Sequence, residues 1–308
     1  MVADIDAPPA PQFSIVIPVY DDWDALDGCL RSLDQQSSNR VFEVIIVDDG
    51  SRLPVPESIR QFGKRFPLTI TRQPHAGIAA ARNIGVHSSK GGVIVFTDAD
   101  CRLDPTCLSR LDENILRSPL HNYFQLRLSG DSSNLVGRAE ELRLLAIQDR
   151  GLQPDGSIRY LNTSGFAVRR SAIGTETSLF DPSAQRSEDT LLLTKLLQKG
   201  ELPLLVADAV VRHTVQMSLT QCIRKDLRVA WLEARTFERI AATGMRVRMK
   251  NRERFAMLQY MWQASRRPSI GRMAWFVLAT RQALQRAISV AYRRLPFRSK
   301  VQPAPEQR

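Results

Sequence analysis

The feature that most constrains this chain is the spacing of its apolar, β-branched runs. FSIVIPVY begins at Phe13, VFEVIIVDDGS at Val41, Leu68–Arg72 follows, and VIVFTDADC begins at Val93. Each is a short apolar run, the pattern of a strand buried on both faces. The segments between them have helical character. Asp22–Leu33 repeats apolar residues at Trp23, Leu26, Leu30 and Leu33, Pro56–Phe66 reads as a helix, and His75–Ser89 is Ala-rich. Strands recurring about every 25–30 residues with helices between them predict an α/β fold: a mostly parallel sheet covered by helices on both faces.

Ligands of such sheets gather at the carboxyl ends of the strands. Tyr20, Asp48/Asp49 and Asp98/Asp100 all fall there, so three separate strands deliver polar groups to one rim. If the chain is still extended at FTDADC, Asp98 and Asp100 share a face. Two carboxylates converging in this way suit a hard cation such as Mg²⁺ or Mn²⁺ that also takes phosphate oxygens. Asp48 and Asp49 read either as turn formers before Gly50 or as acceptors for a nucleobase N–H. Arg82 reads either as a phosphate contact or as the partner of a rim carboxylate.

Downstream the pattern is less regular. Val136–Arg150 predicts a helix, Asn162–Arg170 a strand entered from a loop, and Ser187–Gly200 a helix with Ser187 as N-cap. Leu202–Val215 predicts a strand or strand pair ending at His213. Glu188 and Asp189 begin their helix and either complement its dipole or supply a general base. His213 reads as a structural histidine or as a further metal ligand. Leu219–Thr243 and Arg272–Leu295 read as amphipathic helices. The first places Ile223, Leu227, Ala230 and Trp231 on one face; the second places Met273, Val277, Leu284 and Ile288 on one face.

Charge divides the chain. Val215 to Arg308 hold 20 Lys and Arg against 5 Asp and Glu, while the preceding 214 residues hold 23 against 27. The basic third meets either the body of the protein, through simple packing, or an anionic membrane surface. Nucleic acid is the least favoured partner, because aromatic interleaving is sparse and no nucleic-acid motif is present. The four cysteines show no CxxC pairing and are read as reduced thiols, which points to the cytoplasm. MVADIDAPPAPQ has no basic and apolar signal-peptide pattern, and MAWFVLAT is too short to span a bilayer. The domain reading is a flexible tail at 1–12, a catalytic α/β domain at 13–215, and a basic helical region at 216–308.

Taken together, the motifs resemble inverting glycosyltransferases of family two, with the GT-A fold. SIVIPVYDDWDALDGCLRSL is similar to the family's opening strand and helix, VIIVDDGS to its nucleotide-binding strand end, and AGIAAARNIGV to its helix with Ala-Arg-Asn. FTDADC is similar to its D-x-D, and SGFAVRRSAI, FDP and SEDTLLLTKLLQKG to its acceptor-side segment. The resemblance covers about Phe13 to Val215. It implies a metal-dependent enzyme moving a sugar from a nucleotide-sugar, with UDP favoured, to a hydroxyl of a surface polysaccharide or lipid-linked glycan. It implies Pro18, Tyr20 and Asp49 or Asp48 around the nucleotide, with Arg82 on the same donor side and Asp98 toward the ribose or sugar. Asn162 to Gly165 would line the donor-sugar and acceptor region. Asp100 and His213 would hold Mn²⁺ or Mg²⁺, Asp189 would be the catalytic base, and Glu188 would orient groups beside it. A peripheral position at the inner face of the membrane would fit such an acceptor. No Gln-x-x-Arg-Trp is present, which favours single-sugar addition. The alternatives are a sugar-phosphate nucleotidyltransferase, whose Gly-rich loop PVYDDWD lacks, and a non-catalytic membrane or nucleic-acid binding module.

Overall fold

The computed structural model describes residues 12–38, 41–131, 133–174, 178–184, 186–214, 217–242 and 251–294. Residues 1–11 of the expected tail, and Val215 at the expected domain boundary, lie outside them. The described strands are β1 (Phe13–Val19), β2 (Phe42–Asp48), β3 (Leu68–Arg72), β4 (Val93–Phe96), β5 (Cys101–Leu103), β6 (Tyr123–Gly130), β7 (Phe166–Arg169) and β8 (Leu204–His213). They form one sheet in the order β3-β2-β1-β4-β7-β6-β8-β5. Strands β3, β2, β1 and β4 run parallel, as do β6 and β8, while β7 and β5 pair antiparallel with their neighbours. The sheet is therefore mixed, with its parallel half at the amino-terminal end of the chain.

Helices α1 (Trp23–Asp34), α2 (Glu57–Arg60), α3 (Ile78–Ser88), α4 (Cys107–Arg117), α5 (Leu135–Gly151), α6 (Arg170–Ile173) and α7 (Glu188–Lys199) flank the sheet, and α8 (Leu219–Ala242), α9 (Asn251–Ala264) and α10 (Arg272–Arg294) follow it. The helix expected over Pro56–Phe66 is one α turn followed by a 3₁₀ turn at Gln61–Lys64.

The apolar runs fold as strands because their side chains are consumed on both faces. Val44 and Ile46 enter one core cluster with α1 and α4, while Ile45 and Val47 enter the other with α3 and α7; all four are fully buried. Burial of each such side chain contributes about 1.5–3 kcal/mol. Helix α3 lies directly on β1. A Cβ at Gly85 would stand 2.2 Å from a Val16 methyl carbon, so only glycine permits this approach. The helix is entered through Gly77 at φ 94°, a conformation that side chains rarely adopt.

Two local expectations are corrected. VIVFTDADC is not one extended strand: β4 ends at Phe96, the chain turns through Asp98–Asp100, and β5 begins at Cys101. Asp98 and Asp100 therefore do not share a strand face. Ser187 stands at the N-cap position of α7, but at φ 59° and with no capping hydrogen bond from its side chain. At the other end Gly200, at φ 74°, closes the helix as expected.

The carboxyl-terminal helices dock on α5. Met257, Met261, Ala274 and Leu278 pack against Ala139, Leu142 and Leu145, and the Tyr260 hydroxyl donates to Asp149. The buried stripe of α10 is Ala274 and Leu278. Met273, expected on the core face, is 62% exposed. On α8, Leu227 is likewise exposed while Cys222 and Asp226 are buried. The side chains of Ala230 and Trp231 lie outside the described ones. Among the described residues no helix is long and apolar enough to cross a membrane.

Candidate active site

The carboxyl ends of β1 and β2 stand level, with Val19 opposite Asp48. The loops that follow are tied together. The Asp21 N–H donates to Ser51 Oγ at 2.9 Å, and the Arg52 N–H donates to Asp21 Oδ1 at 2.7 Å. Asp48 is fully buried and accepts from the Ser51 N–H at 2.8 Å, with Arg72 at 3.6 Å from its other oxygen. Asp49 is almost as buried. It accepts from Gln73 Nε2 at 2.5 Å and from the N–H groups of Ala76 and Gly77 at 2.8 and 3.0 Å. His75 Nδ1 lies 2.9 Å from the same carboxylate. Asp49 thus fixes the turn into α3, and it presents the His75 ring to Tyr20 at a centroid distance of 4.5 Å. Tyr20 is 46% exposed, so this aromatic pair stands open at the rim.

Arg82 of α3 is 1% exposed. Its guanidinium donates to Asp98 at 2.6 Å and to Glu188, with the Phe180 ring 5.9 Å away. A buried guanidinium needs such partners, because desolvating it alone costs several kcal/mol. Of the two readings of Arg82, the structure shows the carboxylate one. The second Asp98 oxygen accepts from Ser164 Oγ at 2.6 Å. Asn162 holds that serine in place by accepting its N–H at 2.8 Å. Asn162, Ser164, Asp98, Arg82 and Glu188 therefore form one chain of hydrogen bonds across four segments of sequence.

Asp189 follows Glu188 in the first turn of α7. Burial, and then the neighbouring Glu188 charge, push its carboxyl up to about 7, against weaker hydrogen bonds from Thr190. A carboxyl near 7 can accept a proton at physiological pH and release it again.

Asp100 is held by Thr214, whose N–H and hydroxyl donate to its carbonyl at 2.9 and 2.6 Å. The β5–β8 pairing sets Cys101 opposite His213. His213 Nε2 then lies 3.0 Å from Asp100 Oδ2. Burial alone would raise the Asp100 carboxyl, but the His213 hydrogen bond and charge outweigh it and hold it below the usual range. Burial alone would lower the His213 imidazole, and the same contact reverses that. Asp22, at the cleft mouth, is pushed up by desolvation and then by the Asp100 charge.

These groups fit a divalent cation. Asp100 and His213 bring a carboxylate oxygen and an imidazole nitrogen, both ligand types for a divalent ion, to within 3.0 Å of each other. The Asp22 carboxylate, which acts on Asp100 by its charge, adds to the local preference for a cation. No group of three or more ligating side chains comes together among the described residues, so an ion held here would take most of its ligands from water and substrate oxygens, as Mg²⁺ does. The proton on His213 competes with the ion. Mn²⁺ affinity, read by titration calorimetry, is therefore expected to fall as pH drops through the raised His213 value. A pH-independent affinity would remove His213 from the ligand set.

One cleft of about 820 Å³ gathers most of these groups, while Asp48, Asp49 and His75 stand outside its lining. Pro18, Tyr20, Arg82, Asp98, Asp100, Asn162, Glu188, Asp189 and His213 line it. Its far wall comes from Cys222, Lys225 and Asp226 of α8 and from Leu278, Arg281 and Gln285 of α10. Arg281 clasps Asp226 through two bonds of 2.6 and 3.0 Å, joining the two helices.

Residues 14–175 match a family model described as Glycosyl transferase family 2, which is more than half of the chain. The chain belongs to glycosyl transferase family 2. A family relative, the uncharacterized glycosyltransferase YfnE of Bacillus subtilis, is 36% identical over 88 residues, 28% of this chain and 22% of that protein. The pre-mycofactocin glycosyltransferase of Mycobacterium tuberculosis is 28% identical over 218 residues, 69% of this chain and 44% of that protein. The chain thus aligns with less than half the length of either relative. Among solved structures, S. aureus TarS 1-349 in complex with UDP is similar with a TM-score of 0.54 at 16% identity, over 92% of this chain and 91% of that one. Mannosyltransferase PcManGT from Pyrobaculum calidifontis, in complex with GDP-Man and Mn²⁺, gives 0.55 at 16%, over 92% and 78%. At these identities the likeness shows the GT-A fold.

In this family-two chain, sequence reasoning placed the rim residues but gave His75 no role. The signal was available: His75 stands between β3 and the glycine that opens α3, at a strand's carboxyl end. Asp22 was equally visible in YDDWD. Arg281 and Asp226 carried no signal, because their meeting depends on how α8 crosses α10.

Proposed function

We propose that this protein is an inverting glycosyltransferase that moves a sugar from a nucleoside-diphosphate sugar, with UDP the favoured nucleotide, to an acceptor hydroxyl. The observation that carries this reading is Asp189: a carboxyl raised to about 7 in a cleft that also holds the Asp100–His213 pair. The neighbours that bind UDP and GDP-Man with Mn²⁺ support the donor class and the cation.

The Tyr20–His75 pair offers aromatic faces to the nucleobase, with Asp49 fixing His75 and Asp48 fixing the turn beside it. Asp98, oriented by Arg82 and Ser164, stands toward the ribose or sugar. Asp100 and His213 would hold a divalent cation, which supplies positive charge against the charge developing on the departing diphosphate. Glu188, neutralised by Arg82, fixes the first turn of α7 and so aims Asp189. Asp189 takes the proton of the acceptor hydroxyl as that oxygen bonds to the anomeric carbon. The bond to the nucleoside diphosphate breaks on the opposite face, which inverts the configuration. The acceptor proposed is a lipid-linked glycan or surface polysaccharide, with the protein peripheral at the inner face of the membrane.

The test is thermal stabilisation by UDP, GDP and dTDP, each with and without Mn²⁺. UDP with Mn²⁺ is expected to raise Tm, and Asp100→Ala to abolish the Mn²⁺-dependent part. At 100 times Kd a ligand adds about 2.7 kcal/mol, a shift well within measurement. No shift with any nucleotide would sink the donor assignment.

A further inference from the structure

We infer that the outer face of α9 and α10, carrying Phe255, Leu258, Trp262, Met273 and Phe276, is a docking surface for an anionic lipid bilayer. Large apolar side chains elsewhere on the described surface are exposed singly or in small numbers. Here Phe255 is 70% exposed, Met273 62%, Phe276 51% and Leu258 37%, all within 22 residues of sequence. Ring contacts join the two helices here. Trp262, on the Phe255–Leu258 face of α9 by helical spacing, lies 5.2 Å from Trp275 and 6.4 Å from Phe276, ring centre to ring centre. A patch of this kind on a water-soluble surface marks a contact site.

Met257 and Met261 of α9, and Ala274 and Leu278 of α10, already pack on α5. The charge around the patch names the occupant. Between Asn251 and Arg294 the chain has nine arginines, of which Arg281 is turned to Asp226 in the cleft wall, against one glutamate and no aspartate. Arg266 and Arg267 are exposed at the turn between the two helices. The Arg272 guanidinium lies over the Trp262 ring at 4.6 Å. Bulky aromatics and Met on one surface, ringed by arginine, match the two contributions of an interfacial helix: apolar insertion and attraction to anionic headgroups. A nucleic acid would use the arginines but leave Phe255, Met273 and Phe276 unmatched.

The placement is also consistent with work at a membrane. By helical spacing, Phe276 lies on the face of α10 opposite Gln285, which lines the cleft. A bilayer under the patch would therefore be one helix width, about 10–12 Å, from the cleft wall. The inference deepens the proposed reading by naming the surface that meets a membrane-borne acceptor. Its test involves no sugar transfer, so the two can fail separately.

The experiment is flotation of the full-length protein with vesicles of phosphatidylglycerol and phosphatidylcholine in equal parts, and with phosphatidylcholine alone. Co-flotation is expected only with the anionic vesicles, weakening as salt is raised. The double substitution Met273→Ser with Phe276→Ser is expected to weaken partition about tenfold or more, given the apolar area removed. The UDP-induced shift should stay unchanged, because neither side chain lines the cleft, and Tm should fall only by the loss of the Phe276 ring contacts with Trp262 and Trp275. Arg266→Gln with Arg267→Gln should flatten the salt dependence. Absence of flotation, or undiminished flotation of the serine variant, would overturn the inference. So would a wild-type dimer in sedimentation that the serine variant splits, since the patch would then meet a second copy.

Discussion

Asp189→Asn is expected to lower kcat for sugar transfer by about 10²–10⁴-fold, the range general-base catalysis supplies, while UDP affinity changes less than about twofold. The substitution keeps the shape of the side chain and removes its capacity to take a proton. In the wild type the rate should fall as pH drops below about 7, because Asp189 is then protonated. Stability gives an independent readout. The folded pKa of Asp189 is raised, so its contribution to stability is fully present below the unfolded value, near 3.8, and is lost as pH rises through about 7. Asn does not titrate. The variant should therefore gain on the wild type as pH rises from about 4 to 7, by roughly 2–3 °C in Tm for one to two kcal/mol. Loss of UDP binding together with activity would move Asp189 from the base role to donor binding.

Arg82→Met should be the most destabilising single change in the site. It leaves Glu188, 6% exposed, and Asp98 with no cationic partner. Breaking a buried ion pair from one side costs about 3–5 kcal/mol, or about 5–8 °C in Tm for a chain of this length. The effect is not a lost contact alone, because the charge left behind has nowhere to go. Adding Glu188→Gln to Arg82→Met should restore part of the loss. A fall of less than a degree or two would mean that water reaches the network and screens it. Activity should fall further than stability explains, since Asp98 and α7 would both lose their anchor.

The parallel half of the sheet was legible because each strand there is an apolar run consumed on both faces, as Val44 to Val47 show. The other half was not. β6, YFQLRLSG, mixes polar residues into its run because Gln125 turns inward to bond the Gly165 carbonyl and the Asn162 N–H. β5 is three residues long, and its existence depends on pairing with β8. The acids were found by type and position, but their geometry was not. Asp98 and Asp100 read as one ligand pair in extended chain, whereas the turn after Phe96 sends the first to Arg82 and Ser164 and the second to His213. Met273 misled for another reason. Its apolar side chain fits the helical stripe, yet the stripe that packs is one residue on, at Ala274, where a small side chain admits α5.

The Asp226–Arg281 clasp bears on how such a cleft can vary. The carboxylates and their supports stand on the sheet and the elements nearest to it. The far wall belongs to α8 and α10, which reach the sheet through α5 and are joined to each other by that clasp. Gln282 lines the cavity away from the sheet-borne carboxylates, whereas Lys225 adds its charge to Asp100 and Gln285 bonds Asp226 within the clasp. In the proposed reading, the groups that carry the chemistry and the wall that shapes the cavity thus stand on separate stretches of the sequence.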